Sequence, residues 1–480
     1  MNKRARRILI GTAILAATFL ILVALISFLL DLDRHKPLIE AAASKALGIE
    51  FKIRGKASLH WLPRPRVILR DIHLTLGESD SLAAEELQVW PRWVPFILHR
   101  HISVVRLSLL TPTIWFEKRR QGEMSHDTPA DEDSVREATA SPPGKVGSIS
   151  VHHGSVVYLD KQSGRSVELS DLDLELSDVS WGERTRRRLP DLLKSLSLHG
   201  TLHAQKLQVG KFSASDLGAE VSDEAGLLQL DSTAMTFLGG VSRGRLQLDL
   251  RDSLPRIRVV QAATHLELNQ LLPVQIFSGT AEAALDIEGT GNGLRAIMST
   301  AQGHIAVRSE HISISSLDID KLIDDYNKTQ NFSLIDLGAL VVAGPFAPLL
   351  TKGLDFSRLG FFGQMGHGRS AIRKVVSDWQ IAKGIATTED VAFTTEKNTV
   401  AFRGSLDLVN RRYQNFFVAT VDARGCAKVK QEITGSFPQP HAAGAASRSV
   451  LGMFKGVVRG VRKLVQPGRC DPFYSGSAIH

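Results

Sequence analysis

The stretch SDLDLELS, residues 170–177, decides how this chain folds. Leucine occupies every second position from Leu172 to Leu176, and acidic or hydroxyl side chains fill the positions between. Successive side chains of a β-strand point to opposite faces of the sheet. The stretch therefore predicts a strand with one apolar face and one face in water.

The same alternation recurs at roughly 10- to 15-residue spacing from residue 145 to about residue 310, with Gly, Asp and Ser between the segments. It returns from Ile372 to Phe417. Such a series is typical of an antiparallel sheet with one wet face. The inward positions that we expect to line a continuous apolar groove are Leu174, Leu198, Val209, Leu230, Leu248 and Leu285.

Near the N-terminus, residues 8–30 form an uncharged run of 23 residues, ILIGTAILAATFLILVALISFLL. A helix needs about 20 apolar residues to cross a hydrocarbon core. Four basic residues precede the run and an Asp-containing segment follows it. This asymmetry predicts that the N-terminus lies in the cytoplasm and that the chain after residue 30 lies on the other side of the membrane. A cleaved signal peptide is the alternative, but its apolar region is shorter and ends in a small-residue site.

The chain divides by composition, and a helix is predicted over residues 38–47 ahead of the first strands. The predicted parts are a basic start and transmembrane anchor (1–30), a region of helix and strands (31–120), an acidic disordered linker (121–144), repeating β-structure with an apolar insertion at 332–365 (145–425), and a C-terminal tail (426–480). The tail has a basic amphipathic helix pattern over residues 447–465. Such a helix can lie in a membrane interface or close the end of a β-structure.

The formal net charge of +8 is partly local, because four basic residues precede the anchor and another group of basic residues lies near the C-terminus. No basic stripe with interleaved aromatic residues indicates a nucleic-acid surface. The chain has two cysteines, Cys426 and Cys470. An even count in an extracytoplasmic compartment favours a disulfide, and two buried free thiols are the alternative.

No motif in the sequence supports catalysis: the nucleophile elbow, the phosphate-binding loop and the zinc-protease helix are all missing. His152 and His153 are adjacent on a predicted strand, so we expect them to point to opposite faces and not to share a metal. The chain is expected to be no enzyme and to need no cofactor or metal.

Several segments, taken in order, resemble the AsmA family. After the basic start, the single span and a small helix, they are GKASLHWLPRPRVILRDIHLTL (55–76), a strand pair within residues 83–123, a strand–Gly–strand unit within residues 149–177, FLGGVSRGRLQLDL (237–250) and the ending CDPFYSGSAIH (470–480).

The resemblance implies an inner-membrane anchor and a mainly β periplasmic part in a Gram-negative bacterium. AsmA-like proteins belong with TamB and the bridge-like lipid-transfer proteins, which form a long, curled antiparallel β-sheet (a β-groove) whose concave apolar face carries acyl chains. The implied roles are phospholipid movement and outer-membrane biogenesis. The implied partners are phospholipids, the inner membrane and outer-membrane or periplasmic proteins, with no nucleic acid.

Two questions stay open at this point. One-face alternation fits an open groove, and it fits a closed sandwich of two facing sheets equally well. The function could be lipid handling, or assembly of outer-membrane proteins through binding at strand edges. An enzyme with an unrecognised site is the third alternative.

Overall fold

A computed structural model describes part of the chain. The described residues are 32–47, 50–60, 64–75, 81–92, 104–118, 144–161, 164–182, 193–210, 212–270, 277–315, 318–321, 323–324, 368–437, 439–443 and 470–479. The predicted anchor, nearly all of the predicted linker, the apolar insertion and the C-terminal amphipathic helix lie outside these residues. No helix within the described ranges is long and apolar enough to cross a membrane.

The described chain is mainly β-structure. Two α-helices, α1 (Lys36–Leu47) and α2 (Leu294–Thr300), and two 3-10 turns, Leu32–His35 and Leu268–Gln270, accompany the strands. The strands are β1 (Glu50–Ile53), β2 (Ala57–His60), β3 (Arg66–Thr75), β4 (Ser81–Pro91), β5 (Val104–Leu110), β6 (Thr113–Lys118), β7 (Gly144–Asp160), β8 (Arg165–Trp181), β9 (Leu196–Val209), β10 (Phe212–Glu224), β11 (Leu227–Phe237), β12 (Gly240–Asp249), β13 (Arg256–Glu267), β14 (Phe277–Thr290), β15 (Gln302–Ser315), β16 (Arg369–Ala382), β17 (Ile385–Thr395), β18 (Thr399–Asp407), β19 (Arg412–Val421), β20 (Ala427–Ser436) and β21 (Gln439–Ala443).

The chain forms two compact units, Met1–Asp231 and Ser232–His480, and the division falls within β11. In the first unit β3 pairs with β1, β2 and β4, β4 also pairs with β5 and β6, and β7 to β10 follow one another. These pairings are all antiparallel, as the alternating segments predict.

Two pairings of the first unit are parallel, so the prediction of a wholly antiparallel sheet was wrong. Strand β7 runs parallel to both β5 and β6. β5 and β6 continue one another across Thr111 and Pro112, and the 17-residue β7 lies along both. A parallel pair needs a long crossover, and residues 119–143 provide the chain length for it.

Helix α1 confirms the helix predicted from the apolar spacing at residues 38–47. Pro37 stands at its first turn, where a missing N–H costs nothing. Leu38 is 68% exposed, whereas Ile39 and Ala43 pack against buried side chains of β1 to β4. The helix therefore buries one stripe of its surface on the sheet.

In the second unit each strand from β12 to β21 pairs antiparallel with the next strand along the chain. Its main core lies at the C-terminal end, on β15 to β20. Trp379 and Phe416 are fully buried there, with stacked rings whose centroids are 6.2 Å apart.

Candidate functional site

One face of the first unit is apolar from strand to strand. Residues that pair directly across neighbouring strands form register rows, and two rows each cross eight strands with apolar residues or glycine only. The first row is Ala57, Leu69, Leu87, Leu109, Val151, Leu174, Leu202 and Ala219. The second row is Leu59, Val67, Val89, Leu107, Ile149, Leu176, Gly200 and Val221.

Two further rows extend this face toward the other ends of the strands. One is Phe51, Leu74, Leu82, Ile114, Val156, Leu169, Leu207 and Ala214. The other is Phe116, Tyr158, Val167, Val209 and Phe212. We call the surface of these four rows the first apolar face.

The first apolar face is only partly covered. Leu174, Leu198 and Leu202 are half-buried, Tyr158 is 37% exposed and Val209 is 48% exposed. At the β1–β4 end, by contrast, Phe51 and Leu69 are buried in the cluster that contacts α1. The helix therefore covers one end of the face. On β8 to β10 of the described chain, Leu176, Ala219 and Val221 are buried, whereas Leu174, Leu202 and Val209 keep exposed surface.

The inward positions change between odd and even numbers along the long strands, and in several strands a residue with positive φ marks the change. In β8 this residue is Asp171, between Leu169 and Leu172, with φ of 53°. Other strand residues of this kind are Asp71, His153, Asp216, Ser232, His265 and His311. Asp and His are among the residues that tolerate left-handed backbone. The kink lets both halves of a strand present apolar side chains to the same face.

The opposite face of these strands is polar. In the first unit Arg70 pairs with Glu86. In the second unit Arg258 forms two hydrogen bonds to Asp286, with Nε–Oδ1 of 3.2 Å and Nη2–Oδ2 of 2.9 Å. Exposed ion pairs of this kind stabilise a sheet little. These ion pairs identify the face that carries them as the solvated face of the sheet.

The expectation that His152 and His153 point to opposite faces was wrong, because His153 has a positive φ. Both contact acidic side chains of the polar face: His152 Nδ1 lies 3.5 Å from Asp173 and His153 Nδ1 lies 2.7 Å from Asp171. The hydrogen bond to Asp171 raises the pKa of His153. Among the described residues, no group of three or more His, Cys, Asp or Glu could hold a metal ion.

The second unit carries an apolar face of the same design. One row of it contains Leu246, Val259, Ile287, Gly303, Ile381, Ala386, Leu406 and Tyr413, from β12 to β19. The adjacent row contains Gly244, Gln261, Leu285, Ile305, Trp379 and Thr388. We call this surface the second apolar face.

Burial increases along the second apolar face. Leu248 and Leu285 are half-buried on β12 and β14, whereas Trp379 and Phe393 are fully buried on β16 and β17. Ile319, from the helical residues 319–321, is fully buried in the same cluster. The face is thus partly accessible on its first strands and closed on its last ones.

Three polar side chains interrupt the second apolar face, and they satisfy one another. Gln261 Nε2 donates to Ser242 Oγ at 2.9 Å, and Thr233 Oγ1 donates to Gln261 Oε1 at 3.3 Å. Gly244 has no side chain, which leaves room for Gln261 to lie across it. Because these groups are hydrogen-bonded, their burial costs little.

One carboxylate of the first unit is buried with only one of its oxygens bonded. Asp223 is 1% exposed; Oδ1 accepts a hydrogen bond from the N–H of Gly226 at 3.0 Å, and Oδ2 has no hydrogen-bond partner within the described part of the chain. Burial raises the pKa of Asp223. It pairs with Leu198 on β9, at one margin of the first apolar face.

Five of the six residues predicted to line a groove, all but Leu230, fall on these two faces. Leu174 and Leu198 pack in one cluster, and Val209 belongs to the most exposed row. Leu248 pairs with Ile257, Leu285 pairs with Ile305, and Leu230 is half-buried in β11.

Sequence reasoning missed the aromatic row of the first apolar face, Phe116, Tyr158 and Phe212. The signal that could have found it is the pair of polar residues Ser170 and Asp171, which interrupts the strict alternation and shifts its phase. On the N-terminal side of these two residues the apolar positions are odd-numbered, Val167 and Leu169, and these positions belong to the two rows near the strand ends.

Cys426 and Cys470 form a disulfide, with Cα atoms 6.1 Å apart. It joins the residue just before β20 to the terminal segment Cys470–Ile479. The expectation of paired cysteines, not buried free thiols, therefore agrees with the structure.

Comparison with known proteins adds one finding. Residues 3–190 match the model of the AsmA family, and this match includes β1 to β8, with six strands of each eight-residue row of the first apolar face and three strands of the five-residue row. No curated protein and no solved structure matches the chain. Residues 3–190 of this chain are thus similar to the AsmA family.

Proposed function

We propose that this protein binds phospholipid along its apolar faces and moves it as a membrane-anchored periplasmic protein, in support of outer-membrane lipid homeostasis and biogenesis. The observation that carries the proposal is the set of unbroken apolar register rows of the first unit. In the first unit they extend from Val167 to Leu176 along β8, about 30 Å at the usual strand rise. Across eight strands this is an area on the order of 1,000 Å².

An apolar surface of that size needs a cover. The largest apolar patch of a typical soluble monomer is about 300–600 Å². Helix α1 covers only the β1–β4 end, and side chains such as Val209 remain half exposed. Acyl chains supply an apolar cover that slides, because contacts between chains and leucine side chains have no fixed direction. No catalytic step and no cofactor belong to this proposal.

Assembly of outer-membrane proteins through strand edges is the other function considered. The N–H groups of β1 and β2 that such binding would use are already bonded: Ile53 N–H donates to Glu40, Phe51 N–H to Ser44 and Ala57 N–H to Asp33. At the other end, β21 has five residues and contains Pro440. Short, covered or proline-containing edges pair poorly with a further strand.

Site-specific photo-crosslinking tests the proposal. A photoreactive residue at Leu202 lies on the first apolar face, and the same residue at His203 lies on the opposite face of the same strand. We expect phospholipid adducts from position 202 and few from position 203. Equal labelling, or captured polypeptide in place of lipid, would contradict lipid carriage, and polypeptide would favour the assembly function.

The membrane anchor is tested separately. The proposal places residues 31–480 on the periplasmic side, with residues 8–30 in the membrane. At residue 140, a reporter that is active only outside the cytoplasm should give a signal, and a reporter that is active only in the cytoplasm should give none. A cytoplasmic signal from that fusion would overturn the placement of both apolar faces.

A further inference from the structure

The terminal segment Cys470–Ile479 lies on the polar side of β17 to β19. Consecutive residues of these strands pack on opposite faces of the sheet. Phe393 and Phe402 belong to the core on the second apolar face, whereas Ala392 and Ala401 contact the terminal segment. These three strands are therefore covered on both sides. The segment itself forms no strand.

Three alanines form the floor under this segment. Ala392, Ala401 and Ala419 belong to one register row and are all fully buried. Their small side chains leave a shallow groove, in which Tyr474 and Ala478 are buried. We call this the alanine groove.

Asp390 anchors the segment by its carboxylate. The Tyr474 hydroxyl donates to Oδ1, and the Ser477 N–H donates to Oδ2 at 3.0 Å. The hydroxyl of Tyr474 in turn accepts the Ala478 N–H at 3.0 Å. A side chain at Gly476 would collide with Asp390, so the geometry selects tyrosine and glycine at this spacing.

Main-chain contacts complete the recognition. Lys374 Nζ donates to the carbonyl of Ser477 at 2.6 Å, Thr394 Oγ1 donates to the carbonyl of Ala478 at 2.9 Å, and the Phe473 N–H donates to the carbonyl of Gly425 at 2.9 Å. Side chains that reach the main chain of an extended segment are how proteins commonly bind peptides.

Most of the segment stays accessible to solvent. Cys470, Asp471 and Pro472 are exposed, and Ser475 and Ser477 are exposed as well. A dithiol can therefore reach the disulfide: its thiolate attacks one sulfur and displaces the other as a thiolate, and its second thiol then releases the reductant as a cyclic disulfide. The protein is left with two thiols.

We propose that the alanine groove is a recognition site for a terminal segment of the sequence Phe-Tyr-Ser-Gly, which the Cys426–Cys470 disulfide locks in place and reduction makes releasable. The ligand is the segment of residues 470–479 of the same copy of this chain. Because β17 to β19 close the second apolar face on their other side, release uncovers strands that form that closed end.

Hydrogen exchange on the full chain tests whether the segment is releasable. After reduction by a dithiol, we expect exchange at the amides of Phe473, Ser477 and Ala478 to accelerate at least tenfold, while amides of β17 to β19 keep their protection. Loss of protection in the strands together with the segment would overturn the proposal, because the segment would then be part of one cooperative core. Unchanged protection of the segment would also overturn it.

Peptide capture tests recognition. The full chain carrying Cys470→Ser and Tyr474→Ala keeps Cys426 free and loses its own anchor. A synthetic peptide of residues 470–479, with its cysteine as a mixed disulfide with a small thiol, should transfer to Cys426 as that thiol leaves. We expect transfer at least tenfold faster than for the peptide carrying Tyr474→Ala, by intact mass. Equal rates on the folded protein would mean that the groove recognises nothing.

A further substitution, Asp390→Asn, controls for chemistry at the cysteine. It keeps the shape of the anchor but removes the carboxylate that accepts the Tyr474 hydroxyl and the Ser477 N–H. Capture of the unaltered peptide, which uses both the Tyr474 hydroxyl and the Ser477 N–H, should slow more than capture of the Tyr474→Ala peptide, which uses only the Ser477 N–H. Equal slowing of both peptides would assign the effect to the strands and contradict the proposed anchor.

Discussion

The carboxylate of Glu40 in α1 accepts a hydrogen bond from the backbone N–H of Ile53 in β1, with Oε1 and N 2.7 Å apart. The bond ties a helix side chain to the free side of an edge strand. Such strand edges otherwise offer their N–H groups to other chains. Helix α1 therefore both covers the first apolar face and closes the edge beside it.

Removing the Glu40 carboxylate should weaken both the packing of α1 on the first apolar face and the protection of the β1 edge. We expect Glu40→Ala to lower the free energy of unfolding by about 1–2 kcal/mol, since it leaves a partly buried N–H unpaired. Self-association should increase, measured by sedimentation velocity. Glu40→Gln keeps an acceptor oxygen and serves as the matched control. If both variants behave alike, the bond to Ile53 does not protect the edge.

A charge on the second apolar face distinguishes a groove from a closed sandwich. Leu248 is half-buried and pairs with Ile257, while its neighbour Gln247 lies on the opposite face. A carboxylate in a lipid-filled groove is costly to desolvate. We therefore expect Leu248→Asp to abolish lipid crosslinking and to leave the melting temperature within a few degrees of the parent protein.

The control for this experiment is Gln247→Asp, which places the same charge one residue away in water and should change neither property. Global unfolding of Leu248→Asp with a normal Gln247→Asp would indicate a packed interior. In that case the second apolar face would be a core, and the proposal of a lipid groove would fail in this unit.

The apolar faces could be predicted from alternation, and their interruptions could not. Leu174 and Leu248 stand in strict alternation, so their orientation follows from the period of a strand. The orientation of His153 depends on a left-handed backbone conformation at that residue, which no period reveals. Parallel pairing of β7 was also hidden, because it depends on the path of the crossover and not on the strand sequence.

The alanine groove shows a second limit of sequence reasoning. Ala392, Ala401 and Ala419 are unremarkable residues within alternating segments, and only their register places them in one row. The terminal ending CDPFYSGSAIH was recognisable as a motif, yet its contact with Asp390 joins residues 84 positions apart. A pattern within one segment cannot specify a partner at such a distance.

The kinks should depend on backbone conformation and hardly on side-chain contacts. Ser232 in β11 is exposed and has φ of 50°. A β-branched residue in left-handed backbone costs about 1–2 kcal/mol, whereas glycine adopts it freely. We expect Ser232→Val to lower the melting temperature and Ser232→Gly to leave it unchanged or higher. If Ser232→Val is neutral, the kink is not a fixed feature of the strand.

Asp223 should make the stability of the first unit depend on pH. Its folded pKa lies above the unfolded value because burial disfavours the charged carboxylate. The stability that this proton contributes is therefore fully present below the unfolded pKa, near 3.8, and is lost as the pH rises through the folded pKa. At neutral pH the wild-type protein must keep either a buried charge or an unfavourable proton.

Asp223→Asn removes this cost and keeps the oxygen that accepts the Gly226 N–H. We expect the free energy of unfolding in urea to rise by about 1 kcal/mol at pH 7, with the gain vanishing near pH 3.5, where the wild-type carboxyl is protonated. Glu224→Gln alters an exposed neighbour and should change stability little at either pH. An equal gain for Asp223→Asn at both pH values would show that the effect is packing, because removal of a charge must depend on the protonation of the wild-type carboxyl.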